Sequence, residues 1–95
     1  MEFEWDETKS ERTRRERGFG FAEAVGIFAG RVRTVVDARR DYGEERIAAI
    51  GEADGEILVV VYTDRGDARR IISARPASRK ERDLWRSFAK AWKGS

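Results

Sequence analysis

The order of polar and apolar residues predicts two helices within the first thirty positions. Asp6 precedes a charged stretch that lacks proline and ends at Gly18, which is the pattern of an N-cap, a solvated helix and a terminating glycine. The next segment, 21–28, repeats apolar residues at i, i+3, i+4 and i+7, so it predicts a second helix with one apolar face. Phe3 and Trp5, ahead of the first helix, are expected to pack inward and anchor its start.

From residue 31 onward, shorter alternating patterns predict four strands. The first covers 31–36 and is followed by a polar loop at 37–45. The other three lie within 46–76, and Asp-Gly at 54–55 and Gly-Asp at 66–67 separate them as two hairpins. The middle strand of the three is apolar on both faces, so it is expected to be central in the sheet and covered on each side.

The end of the chain predicts a capped helix and completes an α+β domain. Pro76 ends the fourth strand because it has no N–H to donate, and Ser78 and Glu81 then form the S-x-x-E pattern of a capping box. The helix that follows places four large apolar residues on one face: Leu84, Trp85, Phe88 and Trp92. We therefore predict a single domain over residues 1–95, of α+β class, with two N-terminal helices, a four-stranded antiparallel meander sheet and a C-terminal helix.

The charge distribution indicates a local anion-binding surface. The chain carries 20 basic and 18 acidic residues, and 16 of the basic residues are arginine. Residues 1–64 have a charge balance of −5, whereas residues 65–95 have a balance of +7. Arginine suits forked hydrogen bonding to phosphate, so a basic C-terminal third favours recognition of an anion. The alternative is a set of solvated surface arginines, each lightly paired with an acid.

The missing residue types exclude most catalytic constellations. Without cysteine or histidine the chain has no thiol nucleophile, no Ser-His-Asp triad and neither of the usual zinc ligands. No apolar run approaches the roughly 20 residues that a membrane span needs, and the acidic start lacks the cationic region of a signal peptide. We expect a cytoplasmic protein that binds no membrane, uses no cofactor and holds no metal.

The hairpin turns also predict which side chains share a face of the sheet. If each turn has two residues, the register groups the polar side chains as Arg46, Thr63 and Arg70 on one face and Tyr62, Ser73 and Arg75 on the other. Arg75 ends an apolar strand, and the proline that follows fixes its direction. Its alternative role is structural, as a partly buried arginine paired with Glu44 or Glu45.

The chemistry that survives these exclusions is cleavage of an RNA phosphodiester. The ribose 2′-hydroxyl is its own nucleophile, so the protein has to hold the bond in line and stabilise the charge that builds on the phosphoryl group. Arginines stabilise such charge but are poor acids and bases, so Glu45 is the candidate base and no acid is named. The flanking RNA is expected to bind to a second set of residues, namely Tyr62, Arg70, Arg79, Lys80 and Trp85.

Four segments of the chain resemble the BrnT family of type II toxins. They are collinear, cover roughly residues 3–86, and read FEWDETK, RGFGFAEAVGIF, DYGEERIAAIG and VVVYTDRGDARRIISARPASRKER. The resemblance implies a RelE-like α+β fold and an endoribonuclease that blocks translation by cleaving RNA. It also implies neutralisation by a BrnA-like antitoxin with a ribbon-helix-helix domain, in a hetero-oligomer that binds and represses its own operator DNA.

The resemblance further implies a set of catalytic residues. The E-E-R match gives Glu45 and Arg46, the turn match gives Arg65, and the I-I-S-A-R match gives Arg75. Family members commonly read N-x-x-K-H-G where this chain has arginine in place of the histidine. That arginine, Arg17, would stabilise phosphate charge in the histidine's place.

These departures leave other interpretations open. Loss of the motif histidine is also consistent with a catalytically weakened module that binds the antitoxin and acts in promoter repression. A third interpretation is a nucleic-acid-binding domain without catalysis, whose affinity would fall steeply with salt. Trp85 stands where family members tend to have tyrosine, and it either stacks on a base or fills the core, with the core favoured.

Overall fold

The computed structural model describes residues 1–37 and 43–93, and it confirms the predicted α+β class. Five strands and three helices follow one another along the chain, and a short 3₁₀-helix continues the second α-helix. In chain order they are β1 (Glu2–Trp5), α1 (Glu7–Arg17), α2 (Phe21–Ala24), the 3₁₀-helix (Val25–Ala29), β2 (Arg33–Val36), β3 (Ile47–Ala53), β4 (Glu56–Arg65), β5 (Ala68–Pro76) and α3 (Arg79–Lys93). Most of the predicted loop at 37–45 lies outside the described residues.

The sheet has five strands, so the prediction of four is wrong. The spatial order is β1-β5-β4-β3-β2, in which β2 to β5 form the predicted antiparallel meander and β1 joins the edge parallel to β5. A four-residue strand without a turn beside it carries little local signal, and its partner lies near the other end of the chain. The inward packing of Phe3 and Trp5 is confirmed, because their rings lie 5.5 Å from Phe28 and 6.4 Å from Phe21 between centroids.

The central strand β4 is covered on both faces, as its sequence predicts. On the first face, which carries α1 and α2, buried residues of β4 pack against Phe21, Ala24 and Ile27. On the second face, which carries α3, Val59 packs with Trp85 and neighbouring apolar residues. The helix α3 covers only part of this second face, so the side of the sheet towards β2 remains accessible.

The first helix begins and ends where the sequence predicts. The Asp6 carboxylate accepts hydrogen bonds from the N–H groups of Thr8 and Lys9, at 2.9 and 3.3 Å, and Gly18 ends the helix in the left-handed conformation at φ +84°. The buried Ser10 hydroxyl accepts a 2.9 Å hydrogen bond from the Phe21 N–H, which ties α1 to the start of α2. The Ser10 hydrogen bond therefore fixes the first half of α1 relative to α2.

One β-bulge decides the register of the last hairpin. Thr63 pairs with Arg70 and Arg65 pairs with Ala68, as the predicted two-residue turn at 66–67 requires. At the other hairpin, Asp54 and Gly55 both have positive φ, which is typical of a tight turn. Between Val61 and Tyr62, however, the register shifts, and Ile72 is the extra residue of β5.

The bulge corrects the predicted grouping of side chains on the two faces. Tyr62 does lie on the first face, but Ser73 pairs with Val61 and Arg75 pairs with Val59, and both of these β4 residues point to the second face. Ser73 and Arg75 therefore share a face with Thr63 and Arg70, contrary to the prediction. A regular strand would have placed them with Tyr62, because side chains alternate between faces.

The start of α3 is held by the predicted capping box and by one further residue. The Ser78 N–H donates to Glu81 Oε1 at 2.8 Å, and the Glu81 N–H donates to Ser78 Oγ at 3.2 Å. Two nitrogens of Arg75 also donate to the Glu81 carboxylate, at 2.7 and 2.8 Å. These hydrogen bonds, led by those from Arg75, lower the pKa of Glu81 from 4.5 to about 2. On α3, Trp85 is buried, whereas Leu84, which was predicted to share its face, is 41% exposed.

Gly51 offers a test of how tightly β3 packs against the 3₁₀-helix. A Cβ atom at Gly51 would lie 2.8 Å from Ile27 Cβ and 2.9 Å from Val32 Cγ1. We expect Gly51→Ala to lower the free energy of unfolding by about 1–3 kcal/mol, because the buried backbone has to shift. Gly30→Ala is the control, since nothing lies within 4 Å of its added Cβ. Equal urea unfolding midpoints for the two variants would contradict the packing.

The Arg75–Glu81 pair makes stability depend on acid pH. Because the pKa of Glu81 is lowered by folding, its contribution is present above pH 4.5 and is lost as the pH falls towards about 2. The difference in unfolding free energy between the wild type and Arg75→Ala should therefore be largest at neutral pH and shrink across that range. Urea unfolding at a series of pH values measures it. Arg15→Ala, on the exposed side of α1, should show no such trend.

Candidate functional site

Cationic side chains from four parts of the chain converge on a cavity of about 180 Å³, which we call the basic cavity. It is lined by Asp6, Lys9, Glu44, Arg46, Arg65, Arg70, Ile71 and Ile72. Three guanidinium groups and one ammonium group face two carboxylates, so the lining is net positive. Of the residues predicted for function, the structure brings together Arg46, Arg65 and Arg70.

The start of β3, the end of β4 and the start of β5 position these three arginines. Arg65 and Arg70 flank the β4–β5 turn, and Arg46 directly precedes β3. The buried Thr63 hydroxyl donates a 2.8 Å hydrogen bond to the Glu45 carbonyl, which fastens the approach to β3 onto β4. Thr63 therefore holds the segment that carries Glu44 and Arg46 beside the cavity.

The ion pairs in the basic cavity are long. Glu44 lies between two arginines, with its carboxylate 3.8 Å from Arg46 Nη2 and 3.4 Å from Arg65 Nη2. Arg70 Nη1 lies 3.6 Å from the Glu4 carboxylate on β1. Partly exposed pairs at such distances contribute little to stability, so at Arg65 and Arg70 an incoming anion can replace the carboxylate as a partner. The geometry therefore favours binding of a phosphate group.

Arg75 lies outside the basic cavity but on the same face of the sheet. It borders a larger apolar groove of about 480 Å³, together with Ser73, Glu81 and aliphatic residues of β2, β3 and β4. The alternative prediction for Arg75 was a partly buried arginine paired with Glu44 or Glu45; instead its side chain is 44% exposed and forms an ion pair with Glu81. Arg70, Ser73 and Arg75 form one row along β5.

The predicted RNA-binding aromatic residues are covered by other side chains. Tyr62 is 5% exposed on the first face, where its ring contacts Phe28 and lies 4.1 Å from the Arg69 guanidinium. Burial raises the pKa of the Tyr62 hydroxyl. Arg69 in turn donates two hydrogen bonds to the Asp64 carboxylate, at 2.8 and 3.1 Å, and these bonds raise the pKa of Arg69. Trp85, on the face of α3 that packs against the sheet, is only 7% exposed, which agrees with the prediction that it fills the core.

The remaining predicted site residues lie elsewhere. Arg17 borders a separate cavity at the β3–β4 turn, whose other charged lining residues are acidic. The ten residues of β4 separate that turn from the basic cavity, which corresponds to about 30 Å of extended strand. Arg79 and Lys80 are exposed in the first turn of α3, and the Glu45 side chain is exposed before β3.

Sequence reasoning missed two residues of the basic cavity, Lys9 and Glu44. Lys9 lies in an acidic N-terminal segment far from the basic third of the chain. The pairing of β1 with β5 brings it to the cavity, and that pairing was not predicted. The sequence suggested Glu44 as an ion-pair partner of Arg75 and not as a member of the arginine cluster. No local pattern distinguishes it from Glu45, its neighbour in the same acidic pair.

The described residues contain neither a candidate metal site nor a candidate membrane-spanning helix. Across 1–37 and 43–93, no three Asp or Glu side chains gather into a possible metal site. In the same part of the chain, no helix combines the length and the apolar character needed to cross a membrane.

Comparison with known proteins identifies the family. Residues 5–81 match the family model described as the ribonuclease toxin BrnT of type II toxin-antitoxin systems. A search of curated proteins gave no match. The family match covers most of the chain, including α1 and every strand that contributes an arginine to the basic cavity. The chain therefore belongs to the BrnT family of type II toxin-antitoxin ribonuclease toxins.

Proposed function

We propose that this protein is an endoribonuclease toxin that binds and cleaves RNA at the basic cavity. The observation that carries the proposal is the convergence of Arg46, Arg65, Arg70 and Lys9 on one small cavity. Family membership supplies the reaction class, and the long, partly exposed ion pairs leave Arg65 and Arg70 able to turn to a phosphate. Arginine forks suit the oxygens of a phosphodiester.

The proposed reaction is an internal displacement at phosphorus. The ribose 2′-oxygen forms a bond to phosphorus as the bond to the 5′-oxygen breaks, which gives a 2′,3′-cyclic phosphate and a 5′-hydroxyl. A base takes the 2′ proton, and the arginines stabilise the negative charge on the pentacovalent phosphorus. We assign the base to Glu44, because it lines the cavity between two of the arginines, whereas Glu45 is outside the lining.

The row of polar residues on the second face suggests a path for the rest of the RNA. Arg70 and Arg75 lie on the same side of β5, and the row continues towards the exposed Arg79 and Lys80 at the start of α3. In this proposal, flanking phosphates bind along the row while the bond to be cut lies in the basic cavity. Arg75 then serves both the capping of α3 and the binding of RNA.

We propose that cleavage needs no metal ion. The basic cavity holds more cations than carboxylates, so it attracts phosphate and repels a divalent cation. In cells the toxin would stop translation in the cytoplasm. A ribbon-helix-helix antitoxin of the BrnA type would neutralise it, and the resulting complex would repress its own operator.

A catalytically weakened module remains the second candidate, because arginine replaces the motif histidine. The position of Arg17 argues against this candidate. It lies at the opposite end of β3 and β4 from the basic cavity, in acidic surroundings, so the replacement leaves the cavity unaltered. The weakened module would bind antitoxin and operator without cleaving RNA.

Removing an arginine from the basic cavity should abolish most of the activity. We expect Arg46→Ala and Arg70→Ala each to slow RNA cleavage by about 10²–10³-fold, the usual cost of a lost charge-stabilising donor. Arg86→Ala, an exposed arginine of α3, is the control and should cleave at the wild-type rate. Purified proteins are compared on labelled RNA in the presence of EDTA. A folded wild type that leaves RNA intact, free or on ribosomes, would refute the proposal.

The two neighbouring glutamates give a matched pair for the base. We expect Glu44→Gln to slow cleavage by about 10²–10⁴-fold, because the amide cannot accept the 2′ proton. Glu45→Gln should have little effect, since its exposed side chain lies outside the cavity lining. Single-turnover rates at saturating RNA separate this effect from binding. The reverse order of the two variants would assign the base to Glu45.

A further inference from the structure

The proposed reaction needs a proton donor for the departing 5′-oxygen. The chain has no histidine or cysteine that could supply it. Within the lining of the basic cavity, the cations are Arg46, Arg65, Arg70 and Lys9. A guanidinium holds its proton too firmly to act as an acid, whereas an ammonium group can release a proton to a strongly basic alkoxide. Lys9 is therefore the cavity cation whose chemistry suits proton donation.

The strand order places Lys9 across the cavity from the proposed base. Lys9 lies on the helix that follows β1, and Arg70 contacts Glu4 of β1 from the adjacent strand β5. Glu44 leads into β3, on the other side of β4, where it contacts Arg65. The order across the cavity is thus Lys9, Arg70, Arg65 and Glu44. In-line displacement requires the entering and departing oxygens on opposite sides of phosphorus, and this arrangement supplies one proton-transfer group to each side.

The backbone at Lys9 is held in a fixed position. Its N–H donates to the Asp6 carboxylate at 3.3 Å, and its carbonyl accepts from the Thr13 hydroxyl at 3.0 Å. The next residue, Ser10, is 2% exposed and hydrogen-bonded to the start of α2. The lysine side chain therefore starts from a rigid point of the fold at the border of the cavity, as a proton-transfer group requires.

We propose that the Lys9 ammonium group is the general acid of the cleavage reaction. As the bond between phosphorus and the 5′-oxygen breaks, its electron pair passes to that oxygen, which takes a proton from Lys9 Nζ. Lys9 is left as a neutral amine and Glu44 as a carboxylic acid, and exchange with water restores both. This inference rests on the proposed function, and it assigns to Lys9 a step that the arginines cannot perform.

A substrate whose leaving group needs no proton provides the test. An RNA in which sulfur replaces the bridging 5′-oxygen releases a thiolate, which departs without an acid. On ordinary RNA we expect Lys9→Ala to slow single-turnover cleavage by about 10²–10⁴-fold. On the sulfur substrate the same variant should cleave at close to the wild-type rate. Arg70→Ala should be slow on both substrates, because charge stabilisation is needed in either case.

Further variants separate acid chemistry from charge and from folding. Lys9→Arg keeps the positive charge, so it should bind RNA but cleave only the sulfur substrate well. Arg12→Ala, exposed on the same helix, should behave as the wild type on both substrates. If Lys9→Ala is equally slow on both substrates while the wild type cleaves both, Lys9 is not the acid and the proposed ribonuclease stands. If the wild type cleaves neither substrate, both proposals fail.

Discussion

The extra residue in β5 decides on which side of the sheet the C-terminal arginines lie. In a regular strand Arg70 and Arg75 would point to opposite faces, because an odd number of positions separates them. The bulge at Ile72 reverses the alternation, so both side chains point to the second face. The Arg69 side chain lies on the first face, where its guanidinium packs over the rings of Phe28 and Tyr62. The placement of Arg70, Ser73 and Arg75 on one face therefore depends on one irregular backbone position.

Hydrogen-bond lengths divide these arginines into two groups. Arg69 and Arg75 each hold a carboxylate with two bonds of 2.7–3.1 Å, and each joins separate parts of the fold. Arg65 and Arg70 have carboxylates at 3.4 and 3.6 Å. Short forked bonds are costly to exchange, whereas long, partly solvated pairs are worth at most about 1 kcal/mol. The ion pairs of Arg65 and Arg70 are therefore easier to exchange than those of Arg69 and Arg75.

Local chemistry made much of this fold predictable. The Asp6 cap, the Gly18 terminus, the two hairpin turns and the Ser78–Glu81 box each depend on a few adjacent residues, and each is confirmed. The features that were missed are non-local. The β1–β5 pairing joins distant parts of the chain, and the bulge at Ile72 is defined only by the pairing of β5 with β4. Arg65 and Arg70 lie between the bulge and the turn, where the hairpin register is regular, whereas Lys9 reaches the basic cavity only through the β1–β5 pairing. The arginines of the cavity could therefore be proposed from sequence, while Lys9 could not.

The lack of histidine shifts the balance of the catalytic effects. In the proposed mechanism the proton transfers fall to a carboxylate and an ammonium group in place of an imidazole, the side chain whose ordinary pKa lies nearest neutral pH. Electrostatic stabilisation of the phosphorane needs no proton transfer, and three guanidinium groups in a partly enclosed cavity can supply it. A ribonuclease of this kind has to rely more on charge and positioning than on proton transfer. The abundance of arginine in a chain with almost no net charge is consistent with that division.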